Sequence, residues 1–332
     1  MQAQDYGPAK WSIGQRATKL FDHDIDDALE TGSIVRTHVM RATWHFVARD
    51  DIRWLLALTG PRVQRANASR YRELGLDTRT LLRCEARIVA GLEKSGRLTR
   101  EEIAKVLDAA KIDRSGQRLP HILMHCELEA IICSGGRRDK KHTYALFDER
   151  VPSDDRFDRD EALAELVRRY LASHGPATVK DLRWWSGLTA ADIKHALAAL
   201  DSEVKSETID QITLWYLRDR ARLTRSRGAH LLQTYDELIV GYTESRFFGD
   251  PVGTKARTAW RDRQLPTGIL LLDGMVGGHW RRTIGKNGVE VEVLTYEKPK
   301  RDEVQAIESA GARLGRFLDA RATVNITPNL RR

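Results

Sequence analysis

The 332-residue chain holds only three cysteines, Cys84, Cys126 and Cys133. An odd number without metal-type spacing argues against a disulfide framework or a zinc site, and they read as buried thiols of a cytoplasmic protein. No stretch approaches the roughly 20 apolar residues that a membrane span needs. The start lacks the basic-then-apolar layout of a signal peptide. There is no phosphate-cradling glycine loop, no nucleophile elbow and no metal-ligand set, so no cofactor and no metal is expected. What remains is a globular protein: 41% of residues are apolar, enough to bury a sizeable core and to exclude wholesale disorder.

Charge of one sign is in excess. There are 55 Lys and Arg against 47 Asp and Glu, a formal +8. Such an excess favours a polyanionic partner, nucleic acid first, although many soluble enzymes carry as much.

The chain opens Met1-Gln2-Ala3-Gln4-Asp5-Tyr6. On a strand, residues i and i+2 point the same way, whereas on a helix they diverge by about 200°. Gln2 and Gln4 therefore present two neutral amides to one spot only if the backbone there is extended. Each amide offers one acceptor and two donors, suited to holding a water or a base edge. The competing reading is a frayed polar end, or a glutamine that satisfies a buried backbone group.

Downstream, one helical grammar recurs. Short helices are expected over Trp11–Leu20 and Asp24–Glu30, then β-rich runs Ile34–Val39 and Thr43–Val47, then a helical stripe over Ala48–Leu58 with Pro61 soon after. Helices over 78–94, 99–110 and 119–130 follow, with Thr99 and Glu102 spaced as a capping box. The glycine-rich basic stretch Ser134–Lys141 then forms a hairpin tip. Helices over 161–173, 178–186 and 189–200 close on a hairpin at 204–207 and 213–217. Three helices and a two-stranded hairpin make the winged-helix order. After a basic linker (218–227) the pattern changes: strand, turn and short helix over 229–246, a polar loop over 247–263, a hairpin with an Asp273-Gly274 turn, a strand over 289–296 and a helix over 302–318, after which the chain is expected to end loosely.

Several stretches together resemble the AlkZ-like branch of the winged-helix DNA glycosylases, a family that also contains YcaQ. They are Gln2-Ala3-Gln4-Asp5 with Trp11; Val35-Arg36-Thr37-His38-Val39-Met40-Arg41-Ala42-Thr43-Trp44-His45; Gly175-Pro176-Ala177-Thr178 with Trp185-Ser186-Gly187; Tyr235-Asp236-Glu237; and Asp273-Gly274 with Gly278-His279-Trp280. Each is weak alone, but all five stand in the family's order. The resemblance implies a mainly α fold with β hairpins (α+β): tandem winged-helix modules in a concave arrangement plus a small C-terminal α+β lobe. The modules are expected at 1–75 (shortened at its front), 76–152 and 153–220, and the lobe at 221–332.

The resemblance further implies a monofunctional glycosylase that removes cationic N-alkylated purines, bulky adducts or crosslinks among them, from double-stranded DNA. Gln2 and Gln4 are its expected catalytic pair, with Asp5 either activating the water or capping the next helix. In the family a helical stretch precedes the glutamine motif, whereas here the motif starts one residue after Met1; a shortened front would leave the motif frayed and imprecise. His38, Arg41 and Thr43 on the first hairpin, Arg137, Arg138, Lys140 and Lys141 on the second, and Arg281 and Arg282 after Trp280 are expected to contact DNA. His45 reads as structural, and Trp44, Trp184 and Trp185 as core. A monomer associated with the nucleoid is expected, with no membrane contact. The alternative is a non-catalytic winged-helix DNA-binding protein or regulator.

Overall fold

The computed structural model describes residues 1–153, 156–219, 228–245 and 268–328. In chain order the elements are α1 (Tyr6–Gly14), α2 (Asp22–Thr31), β1 (Ile34–Val39), β2 (Thr43–Ala48), α3 (Arg49–Glu73), α4 (Thr78–Ser95), β3 (Leu98–Thr99), α5 (Arg100–Ala109), α6 (Arg118–Leu128), β4 (Ile132–Arg138), β5 (Lys141–Leu146) and α7 (Phe147–Arg150). Then come α8 (Arg159–His174), α9 (Val179–Ser186), α10 (Ala190–Ala199), β6 (Val204–Ile209), β7 (Ile212–Leu217), β8 (Ala229–Gln233) and α11 (Glu237–Val240). The last are β9 (Gly268–Leu272), β10 (Met275–Gly285), β11 (Gly288–Thr295), α12 (Arg301–Phe317) and β12 (Ala322–Pro328). The mixed α+β class expected from the sequence is borne out. Most of the basic linker and the polar loop at 247–263 lie outside the described residues.

The chain forms two units: Gln2–Gln4 with Ile25–Leu217, and Met1 with Asp5–Asp24 and Arg218–Arg332. In the first, α4, α5 and α6 pack with the sheet β3-β5-β4 around a core of Ile88, Leu92, Ile103, Leu107 and Ile122. Thr99 accepts from the Glu102 N–H at 3.2 Å, while Glu102 accepts from the Thr99 N–H at 2.7 Å; this capping box sets the start of α5. The second set repeats it. Thr178 with Asp181 and Thr189 with Asp192 box the starts of α9 and α10. Ala177 exchanges backbone hydrogen bonds with Trp215, giving β6-β7 a third edge. The winged-helix order of helices and hairpin thus occurs in tandem.

Three expectations are corrected. The first helix starts at Tyr6 rather than Trp11, because Asp5 already has the extended N-cap backbone and its carbonyl accepts from the Ala9 N–H at 2.9 Å. The helix of the first hairpin does not stop before Pro61 but runs unbroken to Glu73. Proline costs an internal helix about 3 kcal/mol, and burial of Ile52, Leu55, Leu56 and Val63 on both sides of it outweighs that. Finally, the stretch after α12 is not loose over 322–328: β12 pairs in parallel with β11 from Val289↔Ala322 to Thr295↔Pro328. The alternation Ala322-Thr323-Val324-Asn325-Ile326 was its period-2 signal.

The second unit is the five-stranded sheet β12-β11-β10-β9-β8 with α12 and α1 against it. Asp273 and Gly274, both at positive φ, make the tight turn expected. Trp11 donates to the Leu231 carbonyl at 2.7 Å and Trp280 to that of Leu232 at 2.8 Å. Asp236, fully buried, accepts from Ser12 at 2.8 Å and from Arg16 at 2.6 and 2.9 Å, so it ties α1 to the end of β8.

Two tests follow from this packing. A Cβ at Gly60 would stand 2.9 Å from the Leu128 carbonyl oxygen, where α3 meets α6. Gly60→Ala gains about 1 kcal/mol of helix propensity but loses about 1–3 to overpacking; thermal melts should show a net loss of stability. In the second unit, burial holds the His279 imidazole below its ordinary range, and its Nε2 lies 2.7 Å from the Tyr296 hydroxyl. The folded form stays neutral where the unfolded chain takes up a proton near 6.5, so stability is lost as pH falls below about 6.5. His279→Asn should flatten part of that fall in melts between about pH 7.5 and 5.5.

Candidate nucleic-acid interface and active site

The opening residues are not frayed. The Ala3 N–H donates to the Trp44 carbonyl at 2.7 Å, and Gln2 bridges His45 in antiparallel register. Gln2-Ala3 is therefore a short third strand on the edge of β2. Arg36 Nε donates to the Ala3 carbonyl at 3.1 Å, so the residue between the glutamines is held at both its backbone groups. Ala3 is fully buried and Gln2 is 6% exposed, while Gln4, where the chain bends, is exposed. Asp5 sits at the N-cap of α1 through its backbone; its side chain makes no capping bond.

The hairpin beside this strand has the register Thr37↔His45, His38↔Trp44 and Val39↔Thr43. Side chains directly opposite share a face, so Gln2, His45 and Thr37 form one buried polar row across three strands. His45 Nδ1 lies 3.0 Å from the Thr43 carbonyl. A carbonyl only accepts, so Nδ1 carries the proton. The structural reading of His45, fully buried, is consistent with this. Thr43 is half-buried, and its hydroxyl oxygen, buried, makes no hydrogen bond within the described residues.

On the other face, Trp44 is sandwiched rather than sunk in the core. The Arg36 guanidinium lies 4.2 Å from its ring centroid and the His38 ring 4.7 Å. His38, expected at a phosphate, is buried, and its Nδ1 is hydrogen-bonded to the Glu127 carboxylate at the end of α6. Glu127 is 1% exposed and had no sequence signal beyond being an acid on an apolar helix.

Arg41 lies at the turn. Its Nη2 donates to Gln2 Oε1 at 3.2 Å, and its guanidinium stands 5.7 Å from the Trp184 ring centroid. The core reading of Trp184 is corrected: the ring is 50% exposed, because α9 buries Leu182 and Ser186 on its other side. Trp185 is half-buried against Tyr170 and His174. The turn itself is fixed from two sides. Met40, at φ 61°, donates its N–H to Thr59 Oγ1 at 3.1 Å. Gly187, at φ +74°, comes so close that a Cβ would stand 2.5 Å from the Met40 carbonyl oxygen.

The second hairpin is less bare than its sequence suggests. Arg137 lies 3.9 Å from Asp26, Lys141 lies 3.7 Å from Glu101, and Arg138 pairs with Glu102; Lys140 is exposed at the tip. Acids from α2 and α5, remote in sequence, thus offset part of this charge. In the other unit, Arg281 is bidentate to Glu292 at 2.5 and 2.6 Å. Burial pulls the Arg282 guanidinium below its ordinary range, with Asp22 opposing. Among the described residues no group of three or more His, Cys, Asp or Glu could hold a metal ion, and no helix is long and apolar enough to cross a membrane.

A family model described as DNA glycosylase AlkZ-like matches residues 1–317. The chain belongs to the AlkZ-like DNA glycosylase family. It is similar to the interstrand DNA cross-link repair glycosylase of Streptomyces sahachiroi, at 22% identity over 331 residues, covering 95% of this chain and 87% of that protein. It also matches the solved structure of Streptomyces sahachiroi DNA glycosylase AlkZ, with a TM-score of 0.80 at 21% identity over 98% of this chain and 91% of that one.

In this AlkZ-like chain the buried His38–Glu127 pair locks β1 to α6. Glu127→Ala leaves a buried imidazole without its carboxylate and should cost about 2–4 kcal/mol in urea unfolding. Adding His38→Ala to it should cost much less than it does alone, since the pair acts as a unit.

Proposed function

We propose that this AlkZ-like glycosylase hydrolyses the N-glycosidic bond of cationic N-alkylated purines in double-stranded DNA, with Gln2 and Gln4 holding the water and the sugar. The observation that carries the reading is the pairing of Gln2-Ala3 into the β2 edge, which gives a short neutral motif a rigid backbone. An N7-alkyl group leaves the purine positively charged. Breaking the C1′–N9 bond sends its electron pair to the base and neutralises that charge, so the base departs without an acid. Water then bonds to C1′ and loses its proton to solvent. The enzyme has to orient the water and accommodate an oxocarbenium-like transition state, and an amide pair can do that although it is a poor base.

Crosslinks and bulky adducts fall within the reading, supported by the cross-link repair glycosylase among its relatives. Arg137, Arg138, Lys140 and Lys141 would supply salt-sensitive, sequence-independent phosphate contacts, with smaller shares from Arg281 and Arg282; the buried hydroxyl of the uncharged Thr43 suits a structural place better than a phosphate contact. The buried place of His38 suits a structural role better than a phosphate contact. The protein would act as a monomer on DNA in the cytoplasm, without a cofactor.

The test is abasic-site formation in a duplex carrying one 7-methylguanine. Wild type should release the base, and Gln2→Ala/Gln4→Ala should lose at least about a hundred-fold in single-turnover rate. A matched duplex carrying uracil, whose departing base is neutral, should stay intact. Equal rates on both lesions, or an unimpaired double variant, would overturn the reading. Replacing all four wing cations by Ala should lower the salt slope of DNA binding, by at most about one unit for each phosphate that is no longer neutralised.

A further inference from the structure

We propose that Arg41 is a positioning residue that fixes which end of the Gln2 amide faces the substrate, so that Gln2 works as a hydrogen-bond donor and Gln4 is left as the acceptor. This rests on the glycosylase reading and deepens it. An amide has two chemically opposite ends, an acceptor oxygen and a donor NH2, which a side-chain flip would exchange. A guanidinium has five donors and no acceptor. The end of Gln2 that meets Arg41 Nη2 at 3.2 Å must therefore be Oε1. Nε2, with its two N–H groups, points the other way.

Arg41 can set this orientation because it is itself held. The Trp184 ring lies under its guanidinium, and its Nη1 stands 3.5 Å from the Trp184 carbonyl. The Thr43 N–H donates to the Arg41 carbonyl at 2.6 Å, and the neighbouring Met40 is fixed by Thr59 and by the close approach of Gly187. Gln2 in turn cannot swing away: it is buried, and its backbone is paired with β2. The two glutamines are therefore inequivalent. Gln2 Nε2–H grips an oxygen, of the water or of the sugar-phosphate beside C1′. The exposed Gln4 offers Oε1 to the water's O–H and so aims its lone pair at C1′.

The Gln2→Glu substitution separates donor from acceptor. A carboxylate pairs with Arg41 at least as well, so folding should hold, but it has no N–H to give. Under single-turnover conditions on the 7-methylguanine duplex, Gln2→Glu should fall about a hundred-fold, as far as Gln2→Ala. Arg41→Met should lose about ten- to hundred-fold, the worth of one hydrogen bond to a charged group, and under about three-fold when added to Gln2→Ala. Arg41→Lys, which also has donors only, should recover most of the rate. Thermal melts check that each variant is folded, and the salt slope of DNA binding should not change in Arg41→Met.

Gln2→Glu within about three-fold of wild type would show that Gln2 works as an acceptor and would end the proposal. So would an Arg41→Met loss of equal size in both backgrounds, or a salt slope lowered by about one, which marks a phosphate contact. A wild-type chain that releases no 7-methylguanine sinks the glycosylase reading and this inference together. An active wild type with any of the three contrary outcomes sinks this inference alone.

Discussion

The hydrogen bond from the Ala3 N–H to the Trp44 carbonyl is the constraint on which the candidate site depends. Each residue that is ordered loses about 1–2 kcal/mol of backbone conformational entropy, and a short polar segment seldom recovers it. Here the cost is offset by burying Ala3 completely, by seating Gln2 in a polar row with His45 and Thr37, and by a guanidinium on the Ala3 carbonyl. The middle residue has to be small and apolar because its side chain meets protein, not water. A glutamine pair without such a middle would lose the burial that Ala3 contributes.

The hairpin that receives this strand is itself overdetermined. One face carries Arg36, Trp44 and His38 in a stack that ends on the buried Glu127. The other carries the Gln2–His45–Thr37 row, and the turn between them is pinned by Thr59 and Gly187. Each fixing contact comes from a different helix, α6, α3 and the end of α9. A distant core mutation that shifts any of these helices therefore reaches the opening residues, since packed interiors transmit displacement instead of absorbing it.

Much of this was legible in the sequence. The capping box at Thr99, the helix starts at Thr178 and Thr189, the Asp273-Gly274 turn and the hairpin strands are local signals, and local signals survive folding. Trp11, Asp236 and Trp280, three of the residues that carry the family resemblance, prove to be hydrogen-bonding pieces of the second unit's frame. What could not be read was anything set by residues far apart. The basic tip at 137–141 looked like bare charge because Asp26, Glu101 and Glu102 approach it only in the fold. His38 looked available because its carboxylate is 89 residues away. Trp184 looked like core because a tryptophan on a helix usually is, and only the packing of α9 shows which side of it is covered. Helix α3 crosses Pro61 for the same reason: the burial that outweighs a proline is tertiary.

Paired cations also bear on how such a surface would hold DNA. Arg138 or Lys141 would have to trade a carboxylate for a phosphate, and exposed ion pairs of this kind are worth only about 0–1 kcal/mol. The exchange is therefore cheap, and counterion release from DNA then supplies the drive. A site built this way would bind any duplex weakly and hold none tightly at high salt. Discrimination has to come from elsewhere, and the proposed chemistry supplies it. A neutral amide pair adds little push of its own, so a normal base, whose departure would leave an unstabilised anion, stays attached. A base that already carries a positive charge needs only a water held at the right place, and correct placement is what a strand anchored through its backbone can give.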